Sequence, residues 1–167
     1  DFMFERGRPG ITGLSDLVWN WARHLVAMGD EVHIVAPYPT DTVAPAGVVL
    51  HRFSIPSWGY RNILGHIRIA LNGWRKIREL GDDNIIHAPE YLSTALFGFL
   101  GASSPVILTT PGNIFERIHN VNHFDWITTQ VYKVAARLSA RYCARIIATS
   151  RSMRDWWEYS GAPAERI

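Results

Sequence analysis

Between Gly10 and Pro37 the chain has few folds to choose from. Gly10-Ile-Thr-Gly13 is a glycine turn, and Leu14, Leu17, Val18, Trp21, Leu25 and Met28 then recur at helical spacing, which puts them on one face of a helix. Gly29 is placed to end that helix, since glycine reaches the left-handed cap conformation without a steric cost. Glu31 to Ala36 then reads as a buried strand. A glycine turn, an amphipathic helix, a glycine stop and a strand make up most of one βαβ unit. The free backbone N–H groups at the start of such a helix suit an anion, most often a phosphate.

The rest of the chain repeats the alternation. Val48 to Phe53 is a β-branched, apolar run and predicts a strand. Arg61 to Leu80 predicts a helix with Ile63, Leu64, Ile67, Leu71, Trp74 and Ile77 inward and Arg68, Arg75, Lys76 and Arg78 on its other face. Asn84 to Ala88 predicts a short strand, Tyr91 to Leu100 a helix stopped at Gly101, and Val106 to Thr110 the next strand. Asp125 caps a long helix to Cys143 whose inner face is expected to carry Ile127, Val131, Val134, Leu138 and Tyr142. Arg145 to Thr149 predicts a strand, and Ser150 opens a last helix ending near Gly161. Asp1 to Phe4 is short for a first strand, so the natural sequence is expected to begin upstream.

Apolar strands alternating with helices predict an α/β fold: a Rossmann-like, doubly wound parallel sheet with helices on both faces, in a single domain. Ligands of such sheets bind beyond the carboxyl ends of the strands. That places the turn before Gly13, Pro37, His87 to Glu90, Thr109 to Asn113, and Ser150 on one rim.

Composition narrows the partners. At 167 residues, 47% hydrophobic and 19% charged, the chain can bury a real core, and its net charge of +2 selects no partner. From Trp126 to Arg154, however, there are six basic residues and no acidic one. A solvated helix face is the plain reading; a surface for an anionic substrate or lipid headgroup is the sharper one. The single cysteine, Cys143, permits no internal disulfide, which fits a reducing, cytoplasmic compartment. His119 and His123 stand at the i, i+4 spacing of helical metal ligands, but no third ligand pattern accompanies them, and no metal site is expected.

The motifs taken together resemble the opening half of the family-4 glycosyltransferases. Gly13, Trp21-Ala22-Arg23-His24-Leu25 and Gly29-x-x-Val32 are similar to that family's glycine pair, its Leu-Ala-x-x-Leu helix and its Gly-His-x-Val. Asn84-Ile-Ile-His87-Ala88-Pro89 is similar to its Asp-x-x-His-x-His, and Val106-Ile-Leu-Thr109-Thr110-Pro111-Gly112 to its Val-Val-x-Thr-x-His-Gly. Arg145 to Ser150, and Gly161-Ala-Pro163 with Ile167, are similar to the family's next segments. The resemblance implies the amino-terminal, acceptor-side domain of a two-domain GT-B enzyme. Such an enzyme transfers a sugar, with retention, from a nucleotide-sugar donor in the cleft between its domains, and requires no metal or other cofactor. The carboxyl-terminal domain that would hold the nucleotide lies beyond these residues.

The resemblance also suggests roles. Gly13, with Thr12 where the first glycine is usual, is expected to offer backbone N–H groups to the donor's diphosphate; a tight turn alone is the plainer reading. His87 and Glu90 are the catalytic candidates, His87 toward a sugar hydroxyl and Glu90 toward the acceptor. A hydrogen-bonded strand-end histidine and a helix-start carboxylate are their plain readings. Thr110, Gly112 and Asn113 complete the substrate-binding candidates on the rim, while Thr109 reads as a strand residue. Pro89 and Pro111 stand where the family usually has histidines, and a proline side chain offers neither a proton nor a hydrogen bond.

Two other classes stay open on the sequence. A sugar-nucleotide epimerase or dehydrogenase needs a dinucleotide glycine fingerprint, and the spacing of Gly7, Gly10 and Gly13 does not make one. A non-catalytic module binding a sugar or lipid headgroup needs only the rim. The expected partners are a nucleotide-sugar donor, an acceptor, the chain's own carboxyl-terminal domain and the inner face of a membrane, with no nucleic acid.

Overall fold

The helix Gly13–Met28 (α1) ends as its glycine predicts. In the computed structural model, which describes residues 13–37, 42–54, 63–89, 91–110 and 126–167, Gly29 has φ +96°. Its N–H donates to the Val26 carbonyl at 3.0 Å, and the N–H of Asp30 donates to that of Leu25 at 3.1 Å. These are the paired bonds of a Schellman stop. The same pair closes a later helix at Gly101, through Gly98 and Phe97.

The chain forms two compact units, Asp1–Ile77 and Arg78–Ile167. The first contains α1, the strands Val32–Ala36 (β1) and Val48–Arg52 (β2), and most of the helix Ile63–Leu80 (α2). β1 and β2 pair in parallel, from Val32 beside Val48 to Ala36 beside Arg52. The helix faces differ from expectation. Met28 is 77% exposed and Leu25 is also exposed, while Ala22 is buried. The reason lies at Gly47, where a Cβ would stand 2.6 Å from Val26 Cγ1, so the turn into β2 occupies the Val26 side of the helix. On α2 the buried residues are Gly65, Ala70 and Gly73; Leu64 is 68% exposed and Leu71 is exposed. Arg68, Arg75 and Arg78 lie on the outside, as predicted.

The second unit runs β3 (Ile86–Ala88), α3 (Tyr91–Phe99), β4 (Val106–Thr110), α4 (Trp126–Tyr142), β5 (Arg145–Ala148) and α5 (Arg151–Tyr159), then a 3-10 turn at Ala164–Arg166. Its three strands are parallel in the order β3-β4-β5. The chain is thus α/β and Rossmann-like, its described strands gathered in two small parallel sheets. Alternation along the strands puts Ile86, Ala88, Val106, Leu108 and Ile146 on one sheet face, all buried. Trp157, fully buried, packs against Tyr91 with ring centroids 5.5 Å apart and meets Trp156 edge-on at 4.8 Å.

The inner face of α4 also departs from the expected stripe. Tyr132, Ala135, Ala136, Ser139 and Ala140 are buried, whereas Val134 is 54% exposed and Tyr142 is exposed. At Gly98 a Cβ would fall 2.2 Å from the Cβ of Tyr142, so glycine is what lets α3 approach α4 at that point. Ser139 Oγ donates from α4 to the carbonyl of Tyr91, the first residue of α3, at 2.7 Å. The side chain of Ile127 is outside the described residues.

Candidate functional site

β3, β4 and β5 run in the same direction, so their carboxyl ends form one edge of the second unit. Ala88-Pro89, Thr110 and Ala148-Thr149-Ser150 lie along it. Beneath this edge, on the sheet face opposite the buried row, alternation places His87, Ile107, Thr109 and Ile147.

His87 sits in the middle of β3, opposite Ile107 of β4. Its ring leans diagonally toward the carboxyl end of the sheet, where Nε2 lies 2.5 Å from Oγ1 of Thr109. Thr109 is fully buried, while His87 is partly open to solvent. Burial of the ring lowers the pKa of His87 from its ordinary value, which favours the neutral imidazole. A neutral imidazole exchanges hydrogen bonds with uncharged donors and acceptors; when Nε2 carries no proton, the Thr109 hydroxyl donates to it. Thr109 therefore does more than its place in a strand suggests. The signal for this second role is the parallel register, which sets residue 109 one diagonal step from residue 87.

The remaining candidates fall on separate elements. Thr110 is the last residue of β4. Ser150 is the N-cap of α5, its Oγ accepting the Met153 N–H at 3.2 Å. Gly13 is the first residue of α1, in the first unit. Thr12, Glu90, Pro111, Gly112, Asn113, His119, His123 and Asp125 lie outside the described residues. Among the described residues no group of three or more histidine, cysteine, aspartate and glutamate side chains is arranged to hold a metal ion.

The first unit has a polar chain that the sequence pattern does not single out. His33 Nδ1 lies 2.7 Å from His51 Nε2, and His33 Nε2 lies 2.9 Å from Glu31 Oε1. The two rings stack with centroids 5.0 Å apart and planes 13° from parallel. Register brings them together, because His33 pairs with Val49 and His51 is the next residue of β2 on that face.

Against known proteins, the sequence model of Glycosyltransferase Family 4 matches residues 11–167. No curated protein matches the chain.

Proposed function

The chain belongs to glycosyltransferase family 4, and from that premise we propose that it is the amino-terminal, acceptor-side domain of a retaining GT-B enzyme. That enzyme transfers a hexose from a nucleotide-sugar donor to an acceptor, in the cleft this domain shares with a carboxyl-terminal one. The observation that carries the reading is the family match over residues 11–167. The histidine in the middle of β3, whose ring leans toward the carboxyl end of the sheet to meet Thr109, supports it.

In this reading His87 meets a sugar hydroxyl as a neutral imidazole, and Glu90 orients the acceptor. The N–H groups around Thr12 and Gly13 take the donor's diphosphate. Thr110, Gly112 and Asn113 complete the rim around the sugars. Charge on the diphosphate is met by backbone dipoles, and no metal is required. The acceptor is carried at the cytoplasmic face of a membrane, which suits the basic helix faces. The 167 residues alone turn over no donor, because the nucleotide is held by the other domain.

The test is release of nucleoside diphosphate by the full-length parent, with this chain as control, across a panel of nucleotide sugars. Release with one donor establishes the transferase and names that donor; turnover by the isolated chain sinks the two-domain reading.

One feature favours a second reading. Pro89 and Pro111 replace two histidines usual in the family, which is what a rim that binds a sugar or headgroup without transferring it would tolerate. A folded full-length protein that binds donor yet releases no nucleotide with any acceptor supports that binding module.

A further inference from the structure

The outer side of α3 and α4 leaves apolar side chains uncovered. A groove of about 400 Å³ is lined by residues of the two helices, among them Leu92, Leu96, Phe99, Val131, Val134 and Leu138. Phe99 is 70% exposed, and Leu100 and Tyr142 extend the apolar surface at the helix ends. Single exposed apolar residues are ordinary, but a contiguous groove of them marks a contact surface.

Charge says what it contacts. Lys133, Arg137 and Arg141 follow one another at i, i+4 along α4, all exposed, and so form one row. Arg137 lies three residues beyond Val134, and Arg141 three beyond Leu138, so the row runs beside the groove. No acidic residue occurs from Trp126 to Arg154 to offset it. An apolar groove edged by cations fits an amphiphile of opposite charge. A second copy of the chain would set two positive rows against each other, which opposes self-association. No helix among the described residues is long and apolar enough to cross a membrane, so contact through this face is made at a surface.

We propose that the α3–α4 face seats the second unit on a membrane bearing anionic lipid. Phe99 and Val134 enter the boundary of the acyl chains, and Arg137 and Arg141 meet the phosphates of the headgroups. The inference deepens the membrane contact of the proposed function by naming its surface, and it rests on that reading only for the acceptor's location. α3 and α4 each follow a strand of the parallel sheet, so both start at the carboxyl edge toward which the His87 ring leans. Leu92, in the first turn of α3, brings the groove to that edge, and a lipid-borne acceptor would reach the rim from it.

The test is co-flotation of the 167-residue chain with vesicles of phosphatidylcholine, alone or with phosphatidylglycerol added. The chain is expected to float only with phosphatidylglycerol and to be released by high salt. Arg137→Glu with Arg141→Glu is expected to abolish flotation. Phe99→Ser with Val134→Ser is expected to weaken it about tenfold or more, from the apolar area lost. All four side chains are exposed, and an unchanged unfolding midpoint verifies that each variant folds. Absence of flotation with phosphatidylglycerol, or flotation that survives both pairs of substitutions, overturns the proposal. A dimer that Phe99→Ser with Val134→Ser disperses, in a chain that binds no vesicle, also overturns it and assigns the groove to a second copy. Nucleotide release by the full-length parent is read separately, so failure to float leaves the transferase reading standing.

Discussion

Nε2 of His87 and Oγ1 of Thr109 lie 2.5 Å apart on a diagonal between β3 and β4. The pair joins a ring at the sheet edge to a hydroxyl with no exposure to solvent. Removing the hydroxyl with Thr109→Val leaves a ring nitrogen without that partner and is expected to destabilise the fold by about 1–2 kcal/mol, read from urea unfolding.

The same pair sets a pH dependence. Burial holds the folded pKa of His87 below its ordinary 6.5, so the unfolded chain takes up the proton first. The stability this site contributes is complete above 6.5 and is lost as pH falls from 6.5 through the lowered value. Unfolding midpoints on either side of that window are expected to fall with acidification in the native chain, and to fall less in His87→Gln. An equal fall in both chains would remove His87 from the account.

Gly98→Ala is expected to be among the most damaging small substitutions. Its Cβ would meet Tyr142 Cβ at 2.2 Å, and a β-carbon can move only with its helix. Prising α3 from α4 is expected to cost about 3 kcal/mol, measured by chemical denaturation. Gly101→Ala is the comparison: its Cβ would meet nothing within 4 Å, and its cost comes only from φ +74°.

Ser150 tests a plainer role. Its hydroxyl caps α5, so Ser150→Ala is expected to cost about 1 kcal/mol, whereas Ser150→Asp retains an acceptor and most of the stability. Unfolding midpoints of the two variants decide between a cap and any part in catalysis: if Ser150→Asp folds like the native chain but the full-length parent carrying it loses turnover, Ser150 does more than cap.

Cys143 is buried, and that burial pushes its thiol pKa up to about 11. Almost no thiolate exists at neutral pH, and the thiolate is the reactive form. A thiol reagent is expected to leave the native chain unmodified and to label it at the rate of unfolding once urea is added. Rapid labelling without urea would contradict this burial.

Much of the candidate site is legible in the sequence because strand ends are. Val106 to Thr110 is an apolar, β-branched run, and the residues just after such a run land on the rim of a parallel sheet. The pairing of His87 with Thr109, and of His33 with His51, is not legible, because each depends on the register of two strands distant in sequence. Hydrophobic spacing says that His87 is on a strand; it carries no information about which hydroxyl lies diagonally across from it.

The sequence by itself determined the alternation of strands and helices, the glycine stops at Gly29 and Gly101, and the cap at Ser150, since each depends on backbone geometry within a few residues. Only the tertiary structure decided which stripe of α4 turns inward. The periodic set Val131, Val134, Leu138 and Tyr142 is the more apolar stripe, and its spacing is correctly helical. Gly98 receives the Cβ of Tyr142; Tyr132, Ala135, Ala136, Ser139 and Ala140 are buried, and Val131, Val134 and Leu138 are left along a groove. Periodicity measures distances within a helix; burial depends on the distance between helices, which no single segment encodes.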